Sequence, residues 1–290
     1  MKKKINLFLY ILNFLINCNL IANENLNIWN IETKTYLLKQ ISNNESAYQS
    51  YERIIHSMES YDIKPDYIKQ IFLDDRVKFD INIIKRFENQ SEKLSYEKYK
   101  KIFITNNRIK NGVKFYNKNK DMLELVNSKY GVDAFLLVSL SGVESNYGVN
   151  NSSNLVFTSL HTQIHDEKRK LWAEKEMTEF IKYCYENNID PFSLRGSYAG
   201  AFGFGQFIPS SFRAYAVDFD GDEIIEPFDW LDVFASMSNY LIKNGYKNNS
   251  NDFSYKTSNW NSIYRYNHSK NYVNVILELR KEIIKELSIQ

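Results

Sequence analysis

The chain has 290 residues, of which 43% are hydrophobic and 15% aromatic, so it can bury a sizeable core in one large domain or two smaller ones. Its 37 basic and 35 acidic side chains leave a net charge of only +2, and no run rich in Lys and Arg follows the first few residues. Nothing in this charge pattern indicates a nucleic-acid-binding surface, and we expect no nucleic-acid partner.

The N-terminal residues 1–22 have the pattern of an export leader. A basic start is followed by an apolar segment of signal-peptide length, shorter than the roughly 20 residues that a membrane span needs. We therefore expect an exported protein, either periplasmic or anchored to the membrane of the cell envelope. Three alternatives stay open: cleavage after Ala22 as a signal peptide, lipid attachment at Cys18 as a lipoprotein, and an uncleaved leader that serves as the anchor.

The remaining chain has the patterns of a mainly α protein. Residues 23–95 contain no glycine and only Pro65, and their apolar residues recur at helical spacing, which predicts an N-terminal helical region, or arm. We predict a second domain over residues 96–290, where Gly131 separates two helices. Further helices are predicted at Thr178–Tyr185, at Trp230–Tyr246 and, as an amphipathic terminal helix, at Tyr272–Leu287.

One glutamate stands where a buried helix meets a tight turn. The apolar run Ala134–Leu140 is followed by GVESNYG, in which Glu144 lies between Gly142 and Gly148. A carboxyl group at the inner end of a buried helix is costly unless it has a role or a partner. Desolvation there raises its pKa, which suits a group that donates a proton near neutral pH. We predict that Glu144 is a catalytic acid; the alternative is a surface glutamate at a helix end.

A second informative segment is GSYAGAFGFGQFIPSS, which begins at Gly196. Its four glycines within ten positions allow the backbone to approach a ligand closely, and Ser197 and Gln206 are its polar side chains. No lysine follows as in phosphate-binding loops. The segment is typical of a cleft wall, and the alternative is a structural turn with close helix packing.

The acidic segment DFDGDEIIEPFD resembles a calcium-binding EF-hand loop. Oxygen-bearing side chains occupy loop positions one, three, five, nine and twelve, which predicts as metal ligands Asp218, Asp220, Asp222, Glu226 and Asp229. Position six is Glu223, where a glycine is usual, and position twelve is an aspartate instead of a bidentate glutamate. The alternative is therefore an acidic loop that is ordered without metal.

Taken in order, GVESNYG, GSYAGAFGFGQFIPSS, YAVDFDGD and RYNHSKNYV resemble the lytic murein transglycosylases of the MltB type, over Tyr96–Arg280. The resemblance implies a lysozyme-like catalytic core with a small EF-hand-like loop region. It also implies that Glu144 is the sole catalytic acid and base, that Ser197 orients it and that Gln206 contacts substrate. The groove residues of the family fall on Tyr99, Tyr266, Asn267 and Tyr272.

The resemblance further implies the reaction. In this family the C6 hydroxyl of the sugar attacks the anomeric carbon, so the β-1,4 bond between MurNAc and GlcNAc is cleaved with formation of a 1,6-anhydro-MurNAc end. The implied partner is the glycan strand of peptidoglycan; no cofactor is required for catalysis, and calcium would be structural. A muramidase that uses water and a catalytically inactive peptidoglycan-binding or scaffold protein are the alternatives.

One part of the chain departs from the family pattern. Where the family usually has GAMGQPQF, this chain has GAFGFGQF, with Phe202 in place of methionine and Phe204-Gly205 in place of Gln-Pro. The stiffness of this loop and the details of the sugar subsites are therefore open. We expect Trp172 and Trp230 to lie in the core, not in a sugar site.

Overall fold

A computed structural model describes residues 45–59, 61, 63, 65–88, 94–149, 153–248 and 250–289. The predicted leader, with Cys18 and Ala22, lies outside the described residues. Among the helices that are described, none combines the length and the apolar character needed to cross a membrane.

The chain divides into two compact units, residues 1–77 and 78–290. The described part of the first unit contains helix α1 (Glu45–Glu59) and helix α2 (Pro65–Leu73). Tyr51 and Phe72 meet edge to face with ring centroids 5.3 Å apart, and both rings are buried. This unit agrees with a helical N-terminal arm, while the boundary that we placed after residue 95 stays a prediction.

The second unit is built almost entirely of helices. These are α3 (Ile81–Glu88), α4 (Tyr96–Phe103), α5 (Asn106–Lys118), α6 (Lys120–Tyr130), α7 (Ala134–Ser145), α8 (Val156–Ile164), α9 (Lys170–Glu186), α10 (Pro209–Tyr215), α11 (Trp230–Lys243), α12 (Ser258–Tyr266) and α13 (Lys270–Leu287). The short strands β1 (Asn154–Leu155) and β2 (Arg195–Gly196) pair antiparallel. The prediction of a mainly α fold is confirmed, and Gly131 ends α6 in a left-handed conformation, as its position between two helices suggests.

Helix α7 lies in the core because its apolar residues leave it no polar face. Its side chains are buried from Leu136 to Ser141. At its start, Asp133 caps the helix by accepting the N–H of Leu136 at 2.6 Å. The same carboxylate receives two hydrogen bonds from Arg280 on α13, at 2.8 and 2.7 Å. Helix α13 is thereby held along α7, and the site forms at the other end of α7.

Candidate active site

The catalytic candidate Glu144 is the last residue but one of α7. After it the chain reverses through three successive left-handed residues, Asn146, Tyr147 and Gly148, with φ values of 49, 60 and 81°. This conformation costs little for glycine, is tolerated by asparagine and is unfavourable for tyrosine. Tyr147 is held in place because its buried side chain donates a hydrogen bond to the carbonyl oxygen of Arg108, at 2.9 Å. The turn keeps the glutamate at the inner edge of the core.

The carboxyl group of Glu144 has an unusual pKa. Burial raises it to about 7, and a hydrogen bond donated by the hydroxyl of Tyr272 to Oε1 counteracts part of that rise. The residue nevertheless keeps part of its surface accessible to solvent. A group with this pKa exists in both protonation states near neutral pH, so it can donate a proton and later accept one.

Tyrosines surround this carboxyl group. Burial and the nearby Glu144 carboxylate raise the pKa values of Tyr266 and Tyr272 well above that of a free phenol, so both stay protonated as donors. Tyr99, buried on α4, is close enough to contribute to the raised pKa of Tyr272. Asn267 follows Tyr266 directly at the end of α12. The structure thus brings Tyr266 and Tyr272 to the glutamate, with Tyr99 near Tyr272.

The glycine-rich segment is connected to the same group of tyrosines. The hydroxyl of Tyr266 donates a hydrogen bond to the carbonyl oxygen of Gly205, at 2.6 Å. The adjacent Gln206 has a left-handed φ of 49°, and its Nε2 donates to the carbonyl oxygen of Gly203 at 2.8 Å. The segment therefore forms a tight turn beside the glutamate.

Ser197 has a local set of partners. Its Oγ accepts the backbone N–H groups of Ala199 and Ala201, at 3.2 and 3.1 Å. Within the described part of the chain, no hydrogen bond joins Ser197 to Glu144. Its role in orienting the glutamate stays a prediction, and the observed contacts show that it shapes the turn that follows β2.

The acidic loop brings three of its five predicted ligands together. One carboxylate oxygen from each of Asp218, Asp220 and Asp222 lies within 4.8 Å of the others. Hard oxygen donors in this arrangement fit calcium. Asp229 instead caps helix α11 by accepting the N–H of Leu231 at 2.8 Å, because the helix begins immediately after it, and Glu226 is not part of the cluster.

Asp232 is a further residue of this loop that the sequence pattern did not predict. Its buried carboxylate accepts the N–H of Phe219 at 2.8 Å and the N–H of Glu226 at 3.0 Å, so one side chain connects the two ends of the loop. Burial raises the pKa of Asp232, and the nearby Asp220 and Asp229 carboxylates add to the rise. The feature of the sequence that could have predicted this role is an aspartate in the first turn of α11, at a position that faces the core.

The fold and the site define a class of protein: a mainly helical domain with a lysozyme-like core, one glutamate of raised pKa among tyrosines, and a separate acidic loop. A family model described as the transglycosylase SLT domain matches residues 46–255, and the chain belongs to this family. The resemblance inferred from the motifs is thereby confirmed.

Individual relatives agree with the family assignment. Over 150 residues the chain is 36% identical to the membrane-bound lytic murein transglycosylase B of Escherichia coli, a match that covers 51% of this chain and 42% of that protein. The lytic transglycosylase SLT35 of E. coli, solved in complex with calcium, superposes with a TM-score of 0.76 at 25% identity, covering 86% of this chain and 96% of that one. The soluble lytic transglycosylase SltB1 of Pseudomonas aeruginosa superposes with a TM-score of 0.75 at 30% identity, and the match covers 83% of this chain and 99% of that one.

Proposed function

We propose that the protein is a peptidoglycan lytic transglycosylase that cleaves the β-1,4 bond between MurNAc and GlcNAc and leaves a 1,6-anhydro-MurNAc end. The observation that carries the proposal is the pKa of about 7 at Glu144, which burial raises and the hydrogen bond from Tyr272 partly lowers. The family membership of the chain supports the same reaction.

Glu144 serves twice in the reaction. It first donates its proton to the glycosidic oxygen, so that the bond between this oxygen and C1 of MurNAc breaks and GlcNAc leaves with a free 4-hydroxyl group. The C6 hydroxyl of the same MurNAc then attacks C1, and the Glu144 carboxylate takes the hydroxyl proton as the anhydro ring closes. General acid–base catalysis of this kind contributes roughly 10²–10⁴-fold. Tyr272 holds the carboxyl group in one orientation between the two steps.

The surroundings of Glu144 favour an internal nucleophile. A two-carboxylate glycosidase places its second acid roughly 5–9.5 Å from the first, as nucleophile or as base for a water molecule. The described partners of the Glu144 carboxyl group are phenols: Tyr272 donates a hydrogen bond to it, and the carboxylate raises the pKa of Tyr266. This arrangement supports cyclisation over hydrolysis.

We further propose that the acidic loop binds calcium as a structural ion. The clustered carboxylates of Asp218, Asp220 and Asp222 fit such an ion, and the similar protein SLT35 was solved with calcium. The ion would hold the loop in shape and takes no part in the proton transfers. The proposed partner is the glycan strand, in the periplasm or at the membrane to which the leader would direct the chain.

A digest of purified peptidoglycan tests the reaction. The protein and its Glu144→Gln variant are incubated with the substrate, and the released fragments are identified by mass spectrometry. We expect anhydro-muropeptides from the unmodified protein alone. Fragments with reducing ends would instead indicate a muramidase, and binding of peptidoglycan without any released fragment would indicate a wall-binding or scaffold protein.

A further inference from the structure

Three aromatic side chains are joined by ring contacts and are here called the aromatic wall: Phe204, Phe228 and Trp230. Phe204 stacks on Trp230 with ring centroids 4.5 Å apart and an angle of 18° between the planes. Phe228 meets Phe204 edge to face at 5.4 Å. Phe228 is 40% exposed and the other two rings are half-buried, although Trp230 was expected in the core. Trp230 also stacks on the buried Phe234 at 5.3 Å, so Phe228 is the ring of the wall that is most open to a ligand. Contiguous apolar surface of this kind marks binding sites more often than isolated exposed residues do.

The aromatic wall borders the candidate active site. A Cβ atom added at Gly148, in the turn after Glu144, would lie 3.1 Å from both Phe204 and Trp230. The residue after Phe204 is Gly205, whose carbonyl oxygen accepts the hydroxyl of Tyr266. The wall is therefore in contact with the turn that follows the catalytic candidate, and Phe204 is covalently continuous with the turn whose carbonyl oxygen accepts the Tyr266 hydroxyl.

Two backbone contacts hold the wall in place before any ligand binds. The N–H of Phe204 donates to the carbonyl oxygen of Pro227 at 2.8 Å. At the preceding Gly203, φ is 75° and an added Cβ would approach the same oxygen to 2.6 Å, so only glycine permits this close approach. Pro227 also precedes Phe228 directly. A site that is already ordered loses less conformational entropy when it binds.

We propose that the aromatic wall binds a hexopyranose ring of the glycan strand by stacking on its exposed ring, Phe228, beside the turn that follows Glu144. The inference rests on the proposed function, because it assumes that a glycan lies in the site. The C–H face of a pyranose ring is apolar and complements the negative face of an aromatic ring. The contact comes from the segment where this chain has Phe204-Gly205 in place of Gln-Pro, so it is a property of this chain's own sequence.

A binding experiment without turnover tests the proposal. The full-length Glu144→Gln protein is titrated in a calorimeter with soluble oligomers of β-1,4-linked N-acetylglucosamine. Phe228→Leu keeps an apolar side chain but removes the ring, whereas Phe228→Tyr keeps the ring; the site is exposed, so neither should impair folding. We expect the leucine variant to bind about three- to tenfold more weakly and the tyrosine variant to bind as the parent does. Phe79→Leu, at an exposed phenylalanine that packs on His165, is the matched control and should leave affinity unchanged.

Equal affinity of the parent and both Phe228 variants would overturn the proposal, as would the same loss in Phe79→Leu or an absence of oligomer binding by the parent. The same titration with peptide-bearing muropeptides is a second arm, and a loss of affinity seen only there would also overturn the proposal, because the wall would then bind the peptide stem. The product analysis above tests the proposed function separately. If the protein releases anhydro products but the Phe228 variants bind as the parent does, only the sugar-binding role of the wall is refuted. If binding depends on the wall but no products are released, only the proposed reaction is refuted.

Discussion

Replacing Glu144 by glutamine should stabilise the protein, and the gain should depend on pH. Burial raises the pKa of Glu144 from 4.5 to about 7, so between these values the folded state holds a proton that the unfolded state has lost. The stability contributed by this group is fully present below about pH 4.5 and is lost as the pH rises through about 7. At about 1.4 kcal/mol for each pH unit, the loss has an upper limit of about 3 kcal/mol, reduced in practice by the solvent that still reaches the carboxyl group.

Glutamine resembles the protonated form of the side chain and does not titrate, and its carbonyl oxygen can accept the hydrogen bond from Tyr272. The difference in unfolding free energy between Glu144→Gln and the unmodified protein should therefore grow as the pH rises from about 4.5 to about 7 and then level off. Urea unfolding followed by circular dichroism at a series of pH values measures this difference. Parallel curves across the whole range would refute the reasoning, because they would show that Glu144 has an ordinary pKa in the folded protein.

Further predictions concern the site, the loop and the glycine-rich turn. Tyr272→Phe removes the hydrogen bond that lowers the pKa of Glu144, so the alkaline limb of the pH–rate profile for muropeptide release should move to higher pH; an unmoved limb would contradict this. Calcium should raise the thermal unfolding midpoint, since it binds only the folded loop, and Asp218→Asn should reduce the rise; a midpoint insensitive to calcium would count against the site. Gly203→Ala should lower the free energy of unfolding more than Gly221→Ala does in chemical unfolding. Both glycines have a positive φ, which costs an alanine about 1–2 kcal/mol, but only at Gly203 would the added Cβ also clash with a backbone oxygen. Equal losses would argue against this close contact.

Much of the site could be predicted from local patterns. An apolar helix followed at once by a carboxylate and a glycine turn predicts a desolvated acid, because both features lie within one short segment, and Glu144 has the raised pKa that this pattern indicates. The loop carboxylates at alternate positions likewise come together over a short range, as they do at Asp218, Asp220 and Asp222. Asp229 also fitted the loop spacing, but the same residue type caps helices, and the start of α11 determines its actual contacts.

Local sequence thus determines that the chain is mainly helical, that Glu144 ends a buried helix and that the acidic loop can gather carboxylates, since these features depend on neighbours a few residues apart. The pKa of Glu144 depends on tertiary packing. Tyr272, whose hydroxyl contacts the carboxylate, is 128 residues away in sequence, and it reaches Glu144 only because α13 packs along α7. The aromatic wall arises in the same way, because the rings of Phe204 and Phe228 meet only after the glycine-rich turn and the end of the acidic loop have packed together. The partners that meet at Glu144 and in the aromatic wall come from segments far apart in sequence, so no local pattern of residues could predict which side chains they are.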